Sequence, residues 1–305
     1  MDKSPHKSDF VNVNGTNLHY LDWDGEGETI LFLTGMGCSA HLFDKIAPRF
    51  TDQFRVLALT RRGQGESDYP ETGYDADTLV NDILAFMDVL HMDKAILAGH
   101  SLAGLELSHF AAMYPERVTK LIYLDAALDW RNLRELEEKD PLLVVEPPAR
   151  KDEFSSVEEY INFVKQVRPD LAQIWNESWD QSMLYELDEK SEGQFVQKDT
   201  KAIGKAMIET AESYKPEHAK IKIPVLSFFA LEENPEFPDY LTEEQRAAAL
   251  EYWQEAWVPW KNTNIRNFRA NVPHARIIGI PDGHHYCFMA HEELVYEEMR
   301  KFLLE

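Results

Sequence analysis

The sequence predicts an α/β protein with a mostly parallel sheet and helices on both of its faces. Short apolar runs alternate with helical patterns from about residue 10 to 126, and the alternation resumes after about residue 220. Such alternation is the pattern of strands joined by crossover helices, whose strands are buried on both sides. The turn between the run 94–98 and the helical pattern 102–114 also carries Gly99-His100-Ser101-Leu102-Ala103. A serine placed there sits on a strand-to-helix corner.

In order along the chain, 10–13 and 18–21 flank Asn14-Gly15, a hairpin signal, so the sheet is expected to begin antiparallel. Residues 29–33 and 54–59 read as buried strands. Residues 75–90 read as a helix with Leu79, Ile83, Phe86, Met87 and Leu90 on one face. The run 94–98 is a buried strand, 102–114 a helix, and 121–124 the sixth core strand. From Asp129 to about Lys220 no strand is predicted. Helical patterns there carry Phe154, Tyr160, Phe163, Trp175, Trp179 and Tyr185, most of them expected to be plain packing of a small helical unit. Residues 223–229 resume the sheet. A long helical stretch, 241–269, is expected to break or kink near Pro259. The last strand is 275–280 and the last helix 292–304.

A chain of 305 residues holds one large α/β domain with an insertion, or two modest domains. The formal charge is −23, from 31 basic and 54 acidic side chains, which argues against nucleic acid and anionic membrane surfaces as partners. The acidity is spread along the chain and reads as solvated helix faces. Two cysteines, Cys38 and Cys287, make neither a disulfide framework nor a zinc spacing. They read as free thiols in a reducing compartment, which the fold could bring near each other. The first residues are polar, and no stretch approaches the roughly 20 apolar residues of a membrane span. A cytoplasmic protein with a small-molecule substrate is expected; the sequence leaves its oligomeric state open.

Ser101 is the candidate nucleophile. Gly99 and Ala103 leave room for a sharp corner, which strains the serine backbone and pushes its hydroxyl into the open. The same corner aims backbone N–H groups at the helix start, where an oxyanion can be held. A serine hydroxyl is inert near neutral pH without a base, so a histidine is required within reach. No Gly-rich phosphate loop and no metal-ligand cluster is visible, and Gly63-Gln64-Gly65 is too short for a dinucleotide fingerprint. No cofactor or metal is expected.

Four motifs in order resemble the α/β-hydrolase fold family over nearly the whole chain. They are Thr34-Gly35-Met36-Gly37 after the strand 29–33, Arg62-Gly63-Gln64-Gly65-Glu66-Ser67 after 54–59, the serine corner, and Gly283-His284-His285 before the last helix. The resemblance implies an eight-stranded sheet with an inserted helical lid. The division expected is core 1–128, lid 129–220 and core 221–305. It also implies an oxyanion hole from the backbone N–H groups of Met36 and Leu102, with Gly35, Gly37 and His100 lining the substrate side. The base is expected at His285, spaced better from the final helix, with His284 as the alternative. The acid that orients it is expected at Asp125, closing the sixth strand, with Glu233 after the seventh as the alternative. Relatives such as haloalkane dehalogenases and epoxide hydrolases attack with an aspartate at the corner, and this chain has none there. The expected activity is cleavage of a small or medium carboxylic ester through an acyl-enzyme. A C–C bond hydrolase, a lactonase, an aminopeptidase and a non-catalytic ligand receptor are the alternatives on the same fold.

Overall fold

The computed structural model describes residues 6–146, 153–231 and 235–305. The alternative acid Glu233 lies outside the described residues. Strands β1 (Lys7–Val13) and β2 (Thr16–Asp22) pair antiparallel. Asn14 and Gly15 join them with φ of 51° and 78°, the left-handed pair that a tight hairpin turn needs. Next come β3 (Thr29–Leu33), β4 (Arg55–Leu59), helix α1 (Ala76–Val89), β5 (Ala95–His100), α2 (Ala103–Met113) and β6 (Val118–Leu124). The Asp75 carboxylate accepts from the Thr78 N–H and caps α1.

Between β6 and the next sheet strand lie α3 (Leu133–Glu137), α4 (Val157–Val167), α5 (Pro169–Gln173), α6 (Glu177–Leu184), a hairpin of β7 (Leu187–Ser191) and β8 (Gln194–Gln197), and α7 (Lys201–Ser213). The hairpin corrects the expectation of a strand-free segment. Its strands are mostly exposed and polar, so no apolar alternation announces them, and only Gly193 at φ 73° marks the turn. The chain then returns through β9 (Val225–Leu231), α8 (Glu243–Tyr252), α9 (Val258–Asn271), β10 (Arg276–Pro281), α10 (Cys287–Ala290) and α11 (Glu292–Leu304). The break expected near Pro259 is a single widened π-type turn over Trp253–Trp257, just before Pro259, and the helix runs on through α9 without interruption.

The eight sheet strands run in the order β1-β2-β4-β3-β5-β6-β9-β10, antiparallel only around β2. Both faces are covered. Ile30, Phe32, Val56, Ile96, Ile122 and Phe228 face α11, through Val295, Met299 and Phe302. Leu31, Leu57, Leu97, Leu121 and Phe229 face α1 and α2, through Phe86, Leu107 and Phe110. That two-sided burial explains apolar runs without alternation. Among the described residues no helix is long and apolar enough to cross a membrane.

A buried chain of imidazoles and carboxylates ties the first strands to the loops after β3 and β4. His6 Nδ1 lies 2.8 Å from one Asp44 oxygen and His41 Nδ1 3.0 Å from the other. Glu66 Oε2 then joins His41 Nε2 at 3.3 Å to His19 Nε2 at 3.1 Å. Burial opposes charge on His41, but its hydrogen bonds to Asp44 and Glu66 prevail and raise its pKa to about 9. A folded-state pKa above the ordinary histidine value contributes stability that is complete below that ordinary value and is lost as pH rises through the folded one. The melting temperature is therefore expected to fall between about pH 7 and about pH 9.5. In His41→Gln it should start lower and change less over that range. A wild-type melting temperature that stays flat there would sink the assignment.

Candidate active site

The corner between β5 and α2 is built by what it lacks. Ser101 has φ +55°, a left-handed conformation that costs a non-glycine residue on the order of 1–3 kcal/mol. A Cβ on Gly99 would come within 2.9 Å of the Ala103 Cβ and of Leu107, so the strand can turn into the helix only if that position is bare. Gly104, which sequence reasoning passed over, is tighter still. A Cβ there would stand 1.7 Å from the Ala126 carbonyl oxygen, because α2 leans directly on the chain leaving β6. The signal was a glycine in the first turn of a helix, where it costs stability and needs a packing reason.

That same chain carries Asp125. It is fully buried and also left-handed, with φ +50°. Its N–H donates to the Phe228 carbonyl at 3.1 Å, and its Oδ1 accepts from the Ala230 N–H at 2.9 Å. Its Oδ2 meets His285 Nδ1 at 2.7 Å and Lys261 Nζ at 2.9 Å. Burial alone would raise the Asp125 pKa, but Lys261 first and His285 second hold it well below the usual carboxylate range. Asp125 is thus a carboxylate. With Nδ1 as the donor to it, His285 is left with Nε2 as the basic nitrogen.

The neighbouring histidine goes elsewhere. The Tyr286 N–H donates to His284 Nδ1 at 3.0 Å, and His284 Nε2 faces Asp170 of α5 at 3.8 Å. Of the two candidates, the structure brings His285 to Asp125. His100 lies directly beneath His285. Their rings are 4.5 Å apart, and His100 Nε2 donates to the His285 carbonyl at 3.1 Å. His100 is 1% exposed, and burial drives its pKa well below the ordinary value, so the ring is neutral. It is enclosed where the sequence placed a residue on the substrate side.

The loop after β3 closes against the serine. A Cβ on Gly35 would sit 3.1 Å from Ser101 Cβ and 2.8 Å from His100 Nδ1. Arg61, buried at the end of β4, holds this loop. Its NH2 donates to the Thr34 carbonyl at 2.7 Å and its NH1 to the Gly35 carbonyl at 3.3 Å, while its Nε pairs with Glu106 of α2 at 2.7 Å. This buried pair, also missed from sequence, fixes the loop relative to the serine helix. The N–H groups of Met36 and Leu102 meet no acceptor among the described residues. Met36 and the exposed Gly37 open onto a cavity of about 240 Å³ whose other walls include Tyr69, Lys198, Ile203 and Met207. Met207 of α7 also packs with Leu102 and Leu105 over the serine corner.

Cys38 and Cys287 are both free and buried, and the Cys38 sulfur lies 3.6 Å from the Tyr286 hydroxyl. Two groups have the spacing of metal ligands, His6 with His41 and Asp44, and His19 with His41 and Glu66. Their nitrogens and oxygens already pair with one another in the chain described above.

A family profile described as alpha/beta hydrolase fold matches residues 28–245. Over 101 residues the chain is 37% identical to the 2-(acetamidomethylene)succinate hydrolase of Mesorhizobium japonicum, covering 33% of this chain and 36% of that one. It is 37% identical over 116 residues to a non-heme chloroperoxidase of Streptomyces lividans, covering 37% of this chain and 42% of that one. These matches thus span well under half of the relatives' lengths. The crystal structure of an E-2-(acetamidomethylene)succinate hydrolase superposes with a TM-score of 0.76 at 19% identity, covering 98% of this chain and 100% of that one, a likeness of fold. With the sheet order, the serine corner and a profile match over most of its length, the chain belongs to the alpha/beta hydrolase fold family.

Proposed function

We propose that this protein is a serine hydrolase that cleaves a small or medium carboxylic ester through an acyl-enzyme. The observation that carries the reading is the 2.7 Å bond from His285 Nδ1 to a buried, ionised Asp125, beside a serine held at φ +55°. In this reading His285 Nε2 takes the Ser101 proton as Oγ attacks the ester carbonyl. Asp125 fixes the tautomer and stabilises the imidazolium that forms. The unpaired N–H groups of Met36 and Leu102 receive the oxyanion of the tetrahedral intermediate. The imidazolium then protonates the leaving alkoxide, and a water activated by the same nitrogen releases the acid. Gly35 and Gly37 leave the approach to Ser101 free of side chains. His100 acts from behind the ring as a support.

The chain divides in this reading into core 1–128, a lid 129–220 and core 221–305. The lid role is supported by Met207 of α7 packing over Leu102 and by the cavity between α7, the hairpin and the Met36 loop. A relative named as a hydrolase supports hydrolysis over ligand reception.

The test is a panel of aryl esters, lactones, ring-cleavage diketones and aminoacyl amides, run beside labelling with a fluorophosphonate. Labelling at Ser101 with turnover of short aryl esters is expected. Turnover of another class alone would replace the ester assignment. Labelling without turnover, together with a ligand that raises the melting temperature, would favour a receptor.

A further inference from the structure

Lys261 bonds to the wrong place for a surface lysine. Helix α9 is anchored beside the end of β6, where Asn264 accepts from the Asp129 N–H at 2.7 Å and Phe268 packs edge-on against Tyr123. This anchoring carries Lys261 Nζ to 2.9 Å from Asp125 Oδ2, the same oxygen that binds His285 Nδ1. The lysine side chain is 11% exposed and the aspartate fully buried. One carboxylate oxygen therefore faces the lysine ammonium on one side and the His285 ring on the other.

We propose that Lys261 is a positioning residue that locks Asp125 Oδ2 toward His285 and, by its fixed charge, keeps His285 a free base at lower pH than an unshared aspartate would. The inference rests on the proposed roles of Ser101, His285 and Asp125. An unshared, buried carboxylate would attract the proton of the imidazolium strongly, whereas a neighbouring ammonium offsets that attraction. Among the groups that hold Asp125 ionised against its burial, Lys261 ranks first. The other titratable groups around the pair, among the described residues, leave this balance to Lys261. His100 from β5 is neutral in its buried place. His284 faces Asp170. Burial raises both the Cys287 thiol and the hydroxyl of Tyr286, whose ring packs edge-on against His285, and keeps both uncharged. Asp129 is paired with Arg131 at 2.7 Å.

The experiment compares wild type with Lys261→Met, Lys261→Gln and Lys261→Arg. It reads the pH profile of kcat/KM for p-nitrophenyl acetate and, independently of any substrate, the pH profile of fluorophosphonate labelling at Ser101. Removing a cation stabilises the imidazolium, so the acid limb is expected to move up by about one pH unit or more in Met and Gln. The rate below the limb then falls about tenfold, while the alkaline plateau changes much less. Lys261→Arg should return the limb toward wild type. Profiles of Met and Gln that superpose on wild type would overturn the proposal. So would a uniform loss at every pH with a lower melting temperature, the mark of a merely structural lysine. Wild-type labelling that does not occur at Ser101 would instead overturn the catalytic reading beneath it.

Discussion

Ser101→Ala is expected to lower kcat for p-nitrophenyl acetate by about 10³-fold or more. The substitution removes one oxygen and little else. Alanine takes φ +55° at a cost similar to that of serine, and Gly99, Ala103 and Gly104 keep the corner as it stands. The Met36 and Leu102 N–H groups keep their positions, so whatever rate survives is expected to report the proposed oxyanion donors and substrate binding. The measurement is steady-state hydrolysis, with circular dichroism and a melting curve to show that the fold is unchanged. A variant that keeps most of the rate would mean that Ser101 is not the nucleophile.

Asp125→Asn is expected to cost about 10³- to 10⁴-fold in kcat. The cause lies in the three donors around one carboxylate. Oδ2 receives His285 and Lys261, and Oδ1 receives the Ala230 N–H. An amide has one oxygen. If it faces His285 and Lys261, its NH₂ points at the Ala230 N–H, donor against donor. If it is turned over, its NH₂ faces His285 Nδ1, selecting the tautomer with the proton on Nε2, the wrong nitrogen for a base. Either arrangement also leaves a buried donor unsatisfied, so the melting temperature should fall as well. Rates must therefore be taken at temperatures where circular dichroism shows the variant folded. Glu233→Gln, measured alongside, is expected to stay within a few-fold of wild type. If Glu233→Gln were the variant that collapsed, the acid would belong to the strand-seven position.

The sheet was legible because its strands are buried on two faces and write themselves as apolar runs such as Ile30-Leu31-Phe32-Leu33. The serine corner was legible because small residues at Gly99 and Ala103 are demanded by local sterics. What stayed hidden depends on distance in sequence. Asp125 was favoured by its place at the end of the sixth strand, but nothing local names its partner, and it is the fold that brings it across 160 positions to His285. His284 and His285 are adjacent, and a rotation of one residue decides which ring faces the acid. The partners of Lys261 and Arg61 emerge only once their helix and strand ends are placed. The hairpin β7–β8 escaped because its side chains are polar and its stability comes from backbone pairing and from the bridge between Phe154 and Phe195.

The close approach of Gly104 to the Ala126 carbonyl bears on which substitutions this fold can absorb. Ser101 and Asp125 sit three residues before and one residue before that contact, on separate segments. No substitution at 104 can be accommodated without separating the helix from the strand end, and with it the serine from the aspartate. A screen of random variants scored only by activity would rank Gly104 beside Ser101 and Asp125, although it has no side chain to offer. The two segments are therefore bound to move as one block, and a change that shifts either end shifts both Ser101 and Asp125.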